Sequence, residues 1–389
     1  MADFEGTTTL SAPAIPGLTA AIRAAAAAAD DVDRQARFPI EAINAIKQAK
    51  LLSCGLPPEL GGRGYRVSEL AAIARALGAA CSAAGMVFAM HQTQALVLAK
   101  YARYGPAAEL ARTISANESL VASATTENTT GGDIGTSTCA IVTDGGMVRL
   151  NKDAPVISYA EHADYIGATA RRNPDAAKND QVLLMCPAAD TALERTSTWD
   201  TMGFRGTCSP GYRLAAYTSV ANVVPADYAS ILATTMLPAS HTLWAAVWLG
   251  IADAAYAKAR TAVRQAARKA PDKTVPQASL LADLTVTHQR FESMVLHEVR
   301  RYQALAESGA EEATISFTVA MNNLKIAAST AVIDVVTEAL KIVGLNGYRD
   351  DHPLTMGRLL RDAFGPQLMV SNERIRLNNA NLVLAYRGV

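Results

Sequence analysis

Two histidines, a glutamine and a carboxylate are the side chains of this sequence best placed for proton or hydrogen-bond chemistry. His91 and Gln92 are adjacent within Met86–Tyr104. Helical spacing sets Val87, Phe88, Ala95 and Leu98 on the histidine's own face. A histidine on such a face is either a satisfied core residue or a polar group aimed into a site. His241 follows Ser240 near the start of a long helical stretch. Its imidazole can serve as a base or hold an anionic group. Glu373 stands at the start of the last helical stretch, where a carboxylate either complements the helix dipole or acts as a base. His162, in Tyr159-Ala160-Glu161-His162, reads as a loop residue. His297-Glu298 lacks the second histidine of a zinc motif and reads as helix surface. The five cysteines (Cys54, Cys81, Cys139, Cys186, Cys208) are far apart and form no CxxC pair. They read as reduced, mostly buried thiols of a cytoplasmic protein, and no metal site is expected. No GxGxxG follows a strand pattern, which argues against a Rossmann cofactor site.

The elements that must position these residues follow from composition and periodicity. The chain has 389 residues, half of them hydrophobic and 19% charged, the profile of a soluble globular enzyme with two or three core-forming units. Lys+Arg and Asp+Glu balance at 36 each, so no basic excess points to nucleic acid or an anionic membrane. The Ala24–Ala29 run is too short and too weakly apolar to span a bilayer, and no signal peptide precedes it. Alanine favours helix, so the run reads as a surface or packed helix. Residues 1 to about 16 read as a loose arm. Helical text extends to about Ser119, broken by a loop at Pro57-Pro58 and Gly61–Gly64. From Leu120 to about Pro225, Thr, Val and Ile rise and turn signals recur, which predicts an antiparallel β unit. Ser240–Arg268, Gln277–Gly309 and Glu312–Val343 are long amphipathic stretches, and a last helix begins near Asn372. The predicted organisation is α+β, mostly α: a helical domain over 1–119, a β domain over 120–226 and a helical bundle over 227–389.

Five short texts, in order, carry a resemblance to a known family. They are Phe38-Pro39 with Leu56–Gly64; Thr126-Glu127-Asn128-Thr129-Thr130-Gly131-Gly132-Asp133; Met202–Thr207 followed by Val224-Pro225; Gly344–Tyr348; and Arg361-Asp362-Ala363. Each alone is weak. Together, on a helix–β–helix layout, they resemble the acyl-CoA dehydrogenase superfamily over nearly the whole chain. The resemblance implies an N-terminal helical domain, a central β-barrel and a C-terminal four-helix bundle. It also implies a homotetramer, with a flavin where these parts meet.

The resemblance assigns cofactor positions residue by residue. Thr126 matches a hydroxyl that the family lays on the isoalloxazine edge, and Gly131-Gly132 permit close backbone approach. Val156-Ile157-Ser158 stands where the family has W-x-T. Ser158 therefore keeps a flavin-facing hydroxyl while Val156 gives up the indole. Arg205, Thr207 and Gly344 belong to the cofactor-binding motifs. Lys341 stands where a glutamine is common, and Asn372 and Arg374 stand where Thr and Gln often hold adenosine. The family's R-x-F-G has no counterpart near Arg268-Lys269. FAD is the expected cofactor, with FMN as the alternative.

The same alignment exposes a gap. The family's proton-abstracting glutamate falls on Val370, and its alternative position on the first bundle helix falls on Ser240. Neither side chain can remove a proton from an acyl thioester. A polar trio of His91, Gln92 and Ser158, beside volume freed at Val156, could instead stabilise a flavin–oxygen adduct. The function expected is a flavin-dependent oxygenase or oxidase that uses O2 on a CoA thioester or related small molecule. A flavin reductase or other electron-transfer partner stays open as the electron source. The alternatives are a dehydrogenase whose base is Glu373 or His241, and a catalytically silent binding or structural subunit.

Overall fold

A computed structural model describes residues 15–102, 105–130, 133–271 and 273–385. Five helices come first: α1 (Leu18–Gln35), α2 (Ile40–Gln48), α3 (Val67–Ala80), α4 (Ser82–Tyr101) and α5 (Pro106–Ala116). Seven strands follow: β1 (Val121–Ala124), β2 (Val142–Asp144), β3 (Met147–Ala154), β4 (Tyr165–Arg171), β5 (Gln181–Pro187), β6 (Thr191–Arg195) and β7 (Tyr212–Ser219). The chain then returns to helix. A short α6 (Tyr228–Ile231) runs through a π-helical turn, Leu232–Met236, into α7 (Leu237–Lys269). The bundle continues with α8 (Gln277–Ser308), α9 (Ile315–Val343), α10 (Leu345–Tyr348), α11 (Gly357–Leu368) and α12 (Asn372–Ala385).

The strands form two sheets, ordered β1-β4-β5 and β2-β3-β7-β6. The second is antiparallel throughout, and in β3 and β7 the inward and outward residues alternate, as expected of a sheet with one wet face. The first departs from the all-antiparallel expectation, because β1 pairs parallel with β4, Val121 opposite Tyr165. A parallel partner needs a long crossover, and here it is the whole loop and hairpin between Thr125 and Asp164. That excursion carries Thr126 and Ser158. Strands β4 and β5 are buried on both faces, which is why Ile166–Ala170 and Val182–Cys186 read as continuous small-apolar runs.

Helix α4 is the axis of the molecule. Nearly every residue from Ser82 to Leu98 is buried, whichever way it points, so the helix has no amphipathic stripe. It packs against α3, α7 and β1. Helices α3 and α7 approach closely because glycines face backbone. A Cβ on Gly250 would sit 2.1 Å from the Arg75 carbonyl oxygen, and one on Gly78 would sit 2.5 Å from that of Val247. Among the described residues no helix is long and apolar enough to cross a membrane.

Candidate functional site

His91 and Gln92 project from α4 into the protein. The backbone N–H of Val121 donates to His91 Nδ1 (3.0 Å), so the ring hydrogen lies on Nε2, which donates to the Leu52 carbonyl (2.8 Å). Burial pushes the imidazole pKa down to about 4, holding it neutral. Gln92 Nε2 donates to the carbonyls of Leu51 and Leu52, both at 2.9 Å. Both side chains thus tie α4 to the turn after α2, and His91 also ties it to β1. Both ring nitrogens of His91 are engaged within the chain, the arrangement of a satisfied core histidine, one of the two readings its helical face allows. The sequence shows the apolar helical face but not the two backbone partners that satisfy the ring.

Thr126 follows β1 and is half-buried, with no hydrogen-bond partner among the described residues. Gly131 and Gly132 lie outside the described residues. Next to Thr126, Glu127 turns inward and organises the loop. Its carboxylate accepts from Ser137 Oγ, from Thr138 N (2.8 Å) and Oγ1 (2.6 Å), and from Lys152 Nζ (2.9 Å). Burial alone would raise its pKa, but these hydrogen bonds and the lysine charge outweigh it and hold the carboxyl well below the usual range. Asn128 N reaches the Asp153 carbonyl (3.3 Å), setting this loop beside the end of β3.

Beyond β3, Ser158 is half-buried and Val156 is exposed. Ser209 Oγ donates to Ser158 Oγ (2.8 Å), and Thr207 Oγ1 lies 2.9 Å from Ser209 Oγ while donating to the Phe204 carbonyl (2.9 Å). Thr207 and Ser158, two of the expected cofactor positions, are therefore linked by a serine that the motifs did not single out. The surrounding backbone is strained: Tyr159, Phe204 and Cys208 have φ of 44°, 48° and 44°, in the left-handed region that non-glycine residues avoid. Asp362 of α11 braces this loop. It accepts from Phe204 N (2.6 Å) and from Ser82 Oγ at the start of α4. Arg205 is spent within the chain on the carbonyls of Asp33 (2.9 Å) and Thr201 (2.6 Å) and on Asp200 (3.2 Å).

A second group of expected positions lies on α7, α9 and the turn before α12. Val370 is apolar, 37% exposed, and left-handed at φ 51°. Lys325 of α9 donates from full burial to the Val370 carbonyl (2.5 Å) and to Asn372 Oδ1 (2.7 Å). Burial brings this lysine's pKa down to about 7. Asn372 Nδ2 donates to Ser329 Oγ (3.0 Å), so its amide is used inside the chain and not held out to an adenosine. Lys325 escaped the sequence reading. The available signal was a lysine among Met321, Leu324, Ala328 and Val332, all on the buried face of α9.

His241 is buried on α7, and its Nδ1 lies 3.1 Å from the Met321 carbonyl, which leaves Nε2 with its lone pair. Burial, with help from the Lys325 charge, lowers its pKa to about 3, so the ring stays neutral. Ser240 donates to the Leu237 carbonyl (2.9 Å). Glu373 is 77% exposed and bonded to Ser371 (3.1 Å) and Arg376 (3.3 Å). It is a surface first-turn carboxylate. Lys341, Gly344 and Arg374 are exposed at the ends of α9 and α12.

The donor set fits a flavin. Thr126 offers an unpartnered hydroxyl. Ser158 receives a hydrogen from Ser209 and keeps its own, and the exposed Val156 gives an apolar contact. Neutral donors and apolar wall are what an isoalloxazine edge and face require. Lys341 and Arg374 can neutralise phosphate.

Comparison with known proteins bears on the family and the fold. Models of the acyl-CoA dehydrogenase N-terminal and C-terminal domains match residues 19–115 and 233–370, together more than half of the chain. An amino sugar nitrososynthase of Streptomyces peucetius, DnmZ, is 26% identical over 349 residues, covering 85% of this chain and 82% of its own. A short-chain specific acyl-CoA dehydrogenase of Clostridium acetobutylicum is 22% identical over 340 residues, covering 86% and 87%. The crystal structure of FMN-bound TdsC from Paenibacillus sp. A11-2 superposes with a TM-score of 0.82 at 18% identity, over 96% of this chain and 98% of that one.

Proposed function

This chain belongs to the acyl-CoA dehydrogenase superfamily, a family of flavin-dependent oxidoreductases, and from that premise we propose that it is a flavin-dependent oxygenase or oxidase, not a desaturase. One observation carries the reading. Both positions where the family keeps its proton-abstracting carboxylate are without one: Val370 presents an apolar side chain, and Ser240 is bonded to its own helix. Glu373 points to solvent, and His241 is too weak a base to take an α-proton at neutral pH.

When bound, the flavin supplies two-electron redox chemistry and, once reduced, reactivity toward O2. The chain's own residues do the rest. Thr126 and Ser158 would hydrogen-bond the ring edge. Val156 and Val370 would each offer an apolar contact to a bound group. His241 presents a neutral acceptor nitrogen to an N–H or O–H of the substrate. The similarity to a nitrososynthase supports a small, heteroatom-bearing substrate alongside the CoA thioester suggested by the family. The commitment of Asn372 within the chain and the similarity to an FMN-bound structure support FMN beside FAD. The electrons come from the substrate, a nicotinamide or a separate reductase.

The test has an anaerobic arm and an aerobic one. Holoenzyme mixed with butyryl-CoA is expected to keep its yellow absorbance, whereas dithionite-reduced holoenzyme is expected to consume O2 rapidly. Bleaching by butyryl-CoA would overturn the proposal in favour of a dehydrogenase with a relocated base.

A further inference from the structure

We propose that Ser209 is a positioning residue that sets the direction of the Ser158 hydroxyl, an inference that rests on the flavin reading above. Three hydroxyls form a line. Thr207 Oγ1 is anchored by donation to the Phe204 carbonyl (2.9 Å), Ser209 Oγ stands 2.9 Å from it, and Ser209 donates to Ser158 Oγ at 2.8 Å. Each hydroxyl has one hydrogen to give. Ser158 Oγ is the nearest acceptor for the Ser209 hydrogen, ahead of the Thr207 carbonyl at 3.3 Å, so the 2.9 Å contact between Thr207 and Ser209 is closed by the Thr207 hydrogen, shared with the Phe204 carbonyl. The Ser158 hydrogen is therefore not given to Ser209 and turns away from it.

Burial falls along the same line. Thr207 and Ser209 are 5% and 3% exposed, while Ser158 is half-buried, so the open end of the chain is the accessible one. The backbone that carries the three is held by Asp362, which accepts from Phe204 N, and by Tyr159 N, which donates to the Thr207 carbonyl (2.9 Å). An isolated serine on a strand end would rotate among several partners. Here the contact with Ser209 favours one orientation, the supporting contact a cofactor edge would need.

A double-mutant cycle decides the matter. Affinities for oxidised FMN and FAD, measured by fluorescence quenching, and the absorption maximum of the bound flavin are compared in wild type, Ser158→Ala, Ser209→Ala and the double variant. Melting temperatures are recorded in parallel. Ser158→Ala is expected to weaken flavin binding about tenfold, the loss of one hydrogen bond. Ser209→Ala should give several-fold of that loss and shift the spectrum in the same direction, with no further effect in the Ser158→Ala background. Ser209→Thr should restore wild-type affinity. Losses that multiply in the double variant, or a Ser209→Ala protein that binds and absorbs like wild type, would overturn the positioning role and leave the flavin reading standing. A wild-type protein that binds neither FMN nor FAD would overturn both.

Discussion

Two buried histidines make the protein sensitive to mild acid. In the unfolded chain an imidazole takes up a proton below about pH 6.5. In the folded chain His91 resists until about 4 and His241 until about 3, because burial penalises the charged ring. Between those limits the unfolded state binds more protons, so stability is full above the unfolded value and falls as pH drops below it. Urea unfolding at a series of pH values is expected to show a loss on the order of 3 kcal/mol per histidine by pH 4. His91→Gln should flatten that dependence by about one proton. Which residues are buried by tertiary contact is also where the sequence was least legible. The helical face of His91 could be read from spacing. Its two backbone partners, Leu52 and Val121, are brought to it only by folding. Ser209 and Lys325 belong to no recognisable text, since their roles depend on neighbours far away in sequence.

At the scale of elements, the long bundle helices were legible because their apolar period persists over many turns. Their observed bounds, Gln277–Ser308 and Ile315–Val343, lie within a few residues of those expected. The parallel β1–β4 pair was not legible, because four residues of Val121–Ala124 have no pattern that fixes a partner's direction. Helix packing yields a sharp test. Gly250→Ala puts a better helix former into α7, yet its Cβ would collide with the Arg75 carbonyl of α3. The substitution is expected to cost about 1–3 kcal/mol by thermal or urea unfolding. The turn before α12 offers another. Lys325→Met would leave the Val370 carbonyl and Asn372 Oδ1 without their donor. We expect faster amide hydrogen exchange over residues 369–376 and a loss of about 1–3 kcal/mol.

At the scale of the molecule, the apolar side chains left in water gather toward the C-terminal end. Leu345, Tyr348, Leu368, Leu377 and Leu384 are all at least 70% exposed. Large apolar residues left open in this way are a mark of protein contacts. The family assembles as tetramers, and we expect this chain to do so. Light scattering should give about four times the 41.0 kDa chain mass. Leu377→Glu with Leu384→Glu should lower the mass, with little change in the far-ultraviolet dichroism of each subunit.

The left-handed residues have a thermodynamic consequence. Tyr159, Phe204, Cys208 and Val370 occupy conformations that an unconstrained chain would abandon, and they keep them because Asp362 and Lys325 grip the adjoining backbone. A receptacle moulded by the chain's own contacts surrenders little disorder when it fills. Titration calorimetry of apoprotein with flavin should therefore register a small heat-capacity change for the chain itself, and capture should run at the pace of encounter, without a slow refolding phase.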